Sequence, residues 1–159
     1  MVAIGIVDGM QPWVVSQSTT EVIPGETVVV DEKGLLEWFA RVLREHKNSP
    51  LVGYNIKNFD IPVLQIRAAK HGIKLEFPDR RSQRIIDIYD AMGGKWQGDI
   101  SSCSLSELGW CLYGEGKATN GSSVADWWAA GEVDKIREHC MEDILLTQKI
   151  YNDLKGVMW

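Results

Sequence analysis

Residues 53–64 read Gly53-Tyr54-Asn55-Ile56-Lys57-Asn58-Phe59-Asp60-Ile61-Pro62-Val63-Leu64, and how this stretch divides decides the fold. Leu51 and Val52 lie just upstream, after the break Asn48-Ser49-Pro50, so a short buried strand is expected from Leu51 to about Asn55. Downstream, helical spacing of apolar residues and a stop at Gly72 predict a helix from about Asp60 to His71. Strand, tight connection and helix make a βα unit. They set the Asp60 carboxylate at the carboxyl edge of a sheet, where open α/β sheets build their sites. The same residues allow a plainer reading, with Asp60 as a helix N-cap, Asn55 as a turn residue and Pro62 as a first-turn proline.

Working outward, the chain opens with Val2-Ala-Ile-Gly-Ile-Val7, closed by Asp8-Gly9, and Trp13-Val14-Val15 follows a Pro-containing link. This predicts a hairpin. Pro24-Gly25 then precedes Thr27-Val28-Val29-Val30, a third extended segment. From Asp31 on, Leu35, Leu36, Trp38, Phe39, Val42 and Leu43 recur at helical spacing, with Glu37, Arg41, Arg44 and Glu45 on the other side. Beyond the central stretch, Arg84-Ile-Ile-Asp-Ile-Tyr89 predicts another strand, Gly93 to Gly98 a loop, and Ser104-Leu-Ser-Glu107 a helix start. A last strong helix is expected from about Val133 to Leu154. Strands first, then strands alternating with helices, read as an α/β sandwich with a mixed sheet.

With 159 residues, 45% hydrophobic and 25% charged, the chain fits one domain spanning residues 1–159. No apolar run approaches the roughly 20 residues of a membrane span. The start MVAIGIVDGM lacks a basic region and a small-residue cleavage site, so a cytoplasmic location without membrane attachment is expected. Cys103, Cys111 and Cys140 have no CxxC spacing, which argues against a disulfide framework or structural zinc. A net charge of -5 argues against attachment to nucleic acid by bulk positive charge, but not against binding bridged by metal ions. Neither GxGxxG nor GxxxxGK[ST] occurs, which disfavours the common nucleotide-binding α/β classes.

The stretch GYNIKNFDIPVL resembles the second motif of the 3′-5′ exonuclease domains of family-B DNA polymerases and their stand-alone relatives, in the DEDD branch of the ribonuclease-H-like superfamily. Other pieces fall in that family's order. TVVVDEKGLLEWF resembles the strand and helix before the motif, and RIIDIYDAM the strand after it. SLSELGWCLYGEGK resembles a segment of leucine-rich helix, glycine and lysine, and IREHCMEDILLTQKIY the third motif, Tyr-x-x-x-Asp. The likeness runs from about Val2 to Tyr151.

The resemblance implies an α/β, ribonuclease-H-like mixed sheet with flanking helices, and metal-dependent 3′-5′ exonuclease action on ends of single-stranded DNA or RNA. Phosphodiester hydrolysis needs an activated water and a stabilised leaving oxygen, which two cations about 4 Å apart provide. Mg²⁺ or Mn²⁺ require converging hard oxygen ligands. By resemblance Asp60 and Asp143 are metal ligands and catalytic residues. Asn55 and Phe59 belong to the nucleic-acid side, Asn55 beside the site and Phe59 packed beneath it. His139 takes the register of the third motif's tyrosine. At four residues before Asp143 it shares that residue's helix face, where it would orient or deprotonate the attacking water; the plainer alternative is a helix-surface histidine.

The largest departure is at the front. The family's first motif, Asp-x-Glu on the first, central strand, is absent, and VAIGIVDG resembles the second strand. The fold is therefore expected to lack the usual first strand, with Asp8 as the sole replacement carboxylate. Three ways of closing the gap follow: the hairpin shifts inward, another chain donates a strand in a homo-oligomer or with a partner, or the chain is a fragment completed elsewhere. A catalytically inactive relative that binds nucleic acid or a partner is the alternative function. Asp87 is a weaker site candidate. Trp127-Trp128 are expected in the core or an interface rather than under a base, and Lys57, Arg67, Lys70, Arg80, Arg81 and Arg84 form a modest basic cluster.

Overall fold

A computed structural model describes residues 3–8, 11–16, 21–23, 26–28, 31–92, 103–117 and 121–158. In chain order these form β1 (Ala3–Asp8), β2 (Gln11–Ser16), β3 (Glu21–Ile23), β4 (Glu26–Val28), α1 (Glu32–Glu45), β5 (Leu51–Gly53) and α2 (Asp60–Lys70). There follow β6 (Ile85–Asp87), α3 (Ile88–Ala91), α4 (Leu105–Tyr113), a 3-10 turn at Gly121–Ser123, α5 (Val124–Ala129) and α6 (Val133–Met158). This is a mixed α/β architecture of the ribonuclease-H-like exonuclease kind, with few strands. The loop expected over Gly93 to Gly98, and Val29-Val30 of the third extended segment, lie outside the described residues.

β1 and β2 pair antiparallel from Ala3↔Ser16 to Asp8↔Gln11, as the hairpin reading requires. The third extended segment is half of a second hairpin: β3 and β4 pair from Glu21↔Val28 to Ile23↔Glu26, on either side of Pro24-Gly25. β5 lies parallel to β6, with Leu51 opposite Ile85 and Gly53 opposite Asp87. The strand expected to reach Tyr89 stops at Asp87, because that carboxylate accepts the Tyr89 N–H and caps α3.

Among the described residues the three strand pairs are separate sheets, and no strand joins β1 to β5. The hairpin does not shift inward to pair with β5. Instead α6 packs against β1, β2 and β5 together, so a helix rather than a strand links the two halves. Contact with β1 depends on Gly5, where a Cβ would lie 2.8 Å from Cys140 Sγ and 2.9 Å from Ile144 Cγ2.

Two apolar clusters flank this arrangement. The buried stripe of α1, Leu35, Leu36, Trp38, Phe39, Ala40 and Leu43, packs with Ile4, Ala68 and Leu75. Ile88, Leu108 and Ile150 form the second, with Val52, Tyr54 and Leu146 against them. An ion-pair knot fixes α2 on α1: buried Glu32 accepts Arg67 Nε at 2.6 Å and Nη2 at 2.7 Å, and meets His71 Nε2 at 2.8 Å. Burial alone would raise the Glu32 pKa, but hydrogen bonds, those from His71 and Arg67 among them, hold it down at about 2.

Candidate active site

The loop between β5 and α2 is shaped by a carboxylate from the neighbouring strand. Asp87, 3% exposed, accepts the Asn55 N–H at 2.7 Å and the Tyr89 N–H at 3.1 Å through Oδ1, and the Lys57 N–H at 3.0 Å through Oδ2. Those bonds hold Asn55 in the left-handed region at φ 58, a conformation Asn tolerates better than most residues. The Asn55 carbonyl then accepts the N–H groups of Asn58 and Phe59 at 3.2 and 3.1 Å, winding the chain into α2. Asp87 is thus buried and organises the loop, with three of its roughly four acceptor sites taken by backbone N–H groups.

Asp60 is the first residue of α2, and Phe59 stands at the N-cap with no side-chain cap bond. The N-cap reading of Asp60 is therefore corrected. Its carboxyl has a pKa raised to about 6, first by desolvation and further by the charges of Asp87 and Asp143, against a lowering hydrogen bond from its own backbone. The residue remains exposed overall, so this desolvation comes from protein crowding one side of the carboxyl.

The facing wall is α6. Ile136, His139, Cys140, Asp143, Leu146 and Ile150 recur three and four residues apart, so the inner stripe of the helix carries a polar insert within apolar neighbours. His139 is 6% exposed, which corrects the helix-surface reading. Its Nε2 lies 3.5 Å from Asp143 Oδ2, and Trp127 meets the ring edge-on with centroids 5.9 Å apart. Trp127 is thereby packing, as expected, while Trp128 is exposed. Burial pushes the Cys140 thiol up to about 12, assisted by the charges of Asp143 and Asp60.

Lys117 completes the wall. Its Nζ is ion-paired with Asp143 Oδ1, and its N–H donates to Ser106 Oγ at 3.1 Å. Gly116 permits this approach, since a Cβ there would lie 2.5 Å from Trp110 Cδ1. Sequence reasoning passed over Lys117, although it ends the glycine-lysine segment and was open to notice there.

His139 and Asp143 thus lie together on α6, and Asp60 lies near enough for the Asp143 charge to help raise its pKa, with Asn55 in the adjoining loop. Phe59 departs from expectation: at 63% exposure it does not pack beneath the site but stands out from its rim, since the helix start turns it away from both clusters. With Tyr54, Asn55, Tyr89, Cys103, Ser104 and Leu105 it lines a cavity of about 320 Å³. No group of three or more metal-ligating side chains converges among the described residues. Asp60 and Asp143 suit one hard cation of modest affinity; they do not fit a pair, because Asp87 is spent on backbone amides and Lys117 already neutralises Asp143.

The mixed α/β fold, with Asp60 opening the helix after β5 and Asp143 on α6, agrees with the layout of an exonuclease-type domain. The chain belongs to the family described as a predicted 3′-5′ exonuclease related to the exonuclease domain of PolB, whose family model matches residues 1–157. It is similar to a DNA polymerase of Thermococcus litoralis, 25% identical over 147 residues that cover 80% of this chain and 9% of the polymerase. It is also similar to DNA polymerase 1 of Pyrococcus abyssi, 24% identical over 142 residues covering 79% and 18%. A DNA polymerase of Thermococcus sp. (strain 9oN-7) is 24% identical over 164 residues, covering 92% and 21%. The chain spans only a small part of the length of these curated relatives. No helix among the described residues is long and apolar enough to cross a membrane.

Proposed function

We propose that this chain is a 3′-5′ exonuclease-type nuclease that holds the end of a single nucleic-acid strand and hydrolyses its terminal phosphodiester with divalent metal. The observation that carries the reading is the placement of Asp60 at the start of α2 and of Asp143 beside His139 on α6, near enough for the Asp143 charge to help raise the Asp60 pKa. Asp60 and Asp143 hold Mg²⁺ or Mn²⁺, which when bound supplies Lewis-acid stabilisation of the phosphate. His139, held by Trp127, orients Asp143 and the water beside it. Asn55 and exposed Phe59 face the strand, Phe59 offering a ring for a base.

Two carboxylates leave this site short of ligands. The reading therefore includes a further strand between β1 and β5, contributed by a second copy or another chain, that closes the sheet and adds ligands. A second reading, a nucleic-acid- or partner-binding module without hydrolysis, is favoured by the Lys117–Asp143 ion pair, which supplies a resident cation at the site. The experiment that separates them is a Mn²⁺ titration of the purified protein on a 3′-labelled single strand, beside Asp60→Asn. Metal-dependent shortening that disappears in the variant supports the nuclease; an intact strand at millimolar Mn²⁺, with the protein folded, leaves the binding module.

A further inference from the structure

The basic cluster in the sequence does not survive folding as a unit. Arg67 is consumed by Glu32, and Lys57 Nζ pairs with Asp90 at 3.3 Å. Lys70 lies at the far end of α2 from Asp60. What remains beside the site is the turn Asp79–Arg84. Asp79 Oδ1 accepts the Arg81 N–H at 2.8 Å, the Asp79 carbonyl accepts the Ser82 N–H at 2.8 Å, and Ser82 Oγ accepts the Arg84 N–H at 3.2 Å. The turn is thus built rather than loose, and it presents Arg80, Arg81 and Arg84 to solvent. None of the three forms an ion pair with another described residue.

Arg80 is tied to the site itself. Its Nη2 donates to Asn58 Oδ1 at 2.6 Å, and Asn58 Nδ2 donates to Asn55 Oδ1 at 3.0 Å. Asn55 is in turn fixed by Asp87. The bond to neutral Asn58 orients the guanidinium without cancelling its charge, and leaves most of its five N–H donors free. The turn then leads down to Ile85, at the end of β6 opposite Asp87. Three exposed cations without an ion-pair partner among the described residues therefore sit on the turn that runs from Arg80, beside Asn58, to the start of β6, on a chain whose net charge is -5.

We propose that the Asp79–Arg84 turn is a phosphate track for the strand held at Asp60 and Asp143. Arg80 is its first positioning residue, contacting a backbone phosphate on the 5′ side of the bond in the site, and Arg81 and Arg84 continue the track. The inference rests on the nucleic-acid reading above, and it adds the surface that lets an acidic protein hold a polyanion.

The test is fluorescence anisotropy of a 5′-labelled single-stranded oligonucleotide with the full chain in chelator, so that binding is read without hydrolysis, over a series of KCl concentrations. Arg80→Gln is expected to weaken binding several-fold and to reduce the slope of log affinity against log salt by about 0.7, the loss of one single-strand phosphate contact. Replacing all three arginines by Gln should reduce the slope by about 2. Asn58→Ala should lose part of the Arg80 effect in a native background and add little to Arg80→Gln, which a merely structural role would not reproduce. Unchanged affinity and slope in the folded triple variant, while the parent chain binds, overturns the track and leaves the nucleic-acid reading standing. An acidic peptide of matched charge that displaces the probe as well as unlabelled oligonucleotide also overturns it. A parent chain that binds no oligonucleotide at low salt overturns both.

Discussion

Asp60 and Asp87 are carboxylates at opposite ends of one short loop contact, and their surroundings give them opposite tasks. Asp87 receives three backbone N–H groups and is spent on structure, whereas Asp60 is crowded, faces like charges and has a pKa raised to about 6. The folded chain therefore binds the Asp60 proton more tightly than the unfolded chain, whose group titrates near 3.8. Stability falls as pH rises between those values, and above pH 6 ionised Asp60 opposes folding. Asp60→Asn should accordingly raise Tm above pH 6, by a few degrees at most because water screens an exposed residue, with no gain below pH 3.8. Added Mn²⁺ should raise the Tm of the parent chain and not of the variant; equal shifts in both would detach Asp60 from metal. Asp87→Asn should do the reverse, costing about 1–3 kcal/mol in urea unfolding, since an amide NH₂ would oppose one of the buried N–H donors. Asp60 and Asp143 could be singled out in the sequence because a short motif carries each of them. The work of Asp87 was not, because it bonds amides some thirty residues away along the chain.

At the level of elements, the patterns that proved readable were those with a strong period or a local cap. The apolar stripe of α1 with Asp31 at its N-cap, and the Ser104/Glu107 capping box of α4, are written in neighbouring residues. β6 was overextended because its apolar run continues into α3, and only a side-chain cap ends the strand. How α6 meets β1 is also a matter of tertiary fit, and Gly5 is the point of closest approach. Gly5→Ala should destabilise the fold by about 1–3 kcal/mol, as overpacking does, because Ile144 is β-branched and cannot swing aside. Cys140→Ala removes one of the two obstructing atoms, so the double variant should recover part of that loss in a denaturation cycle. Strict additivity would mean that β1 and α6 do not meet at this point. The same pair matters to the site, since Cys140 and Asp143 share one turn of α6.

Over the whole molecule, the hairpin β1–β2 and the pair β5–β6 are separate sheets among the described residues. Leu51 N–H bonds the carbonyl of Arg84, the residue just before β6, and in parallel pairing alternate residues face the same neighbour, so Val52 turns its N–H and carbonyl away from β6. That edge points where a strand between β5 and β1 would lie, while Val52 itself packs against the Ile88–Leu108–Ile150 cluster. A peptide group that is held in place but lacks a strand partner should exchange its amide hydrogen quickly even though its side chain is well packed. Native-state exchange should therefore find Val52 faster than Leu51 in dilute protein. If a second copy donates the closing strand, Val52 protection should rise with protein concentration, in step with the oligomer seen by sedimentation and with Mn²⁺ affinity, because the same strand would bring ligands to Asp60 and Asp143. Slow Val52 exchange in a demonstrably monomeric sample would mean that the chain closes its own sheet, and the strand-donation part of the proposal would fall. The nuclease reading would then depend on carboxylates the chain supplies itself, and Asp8, at the end of β1, would be the first to substitute.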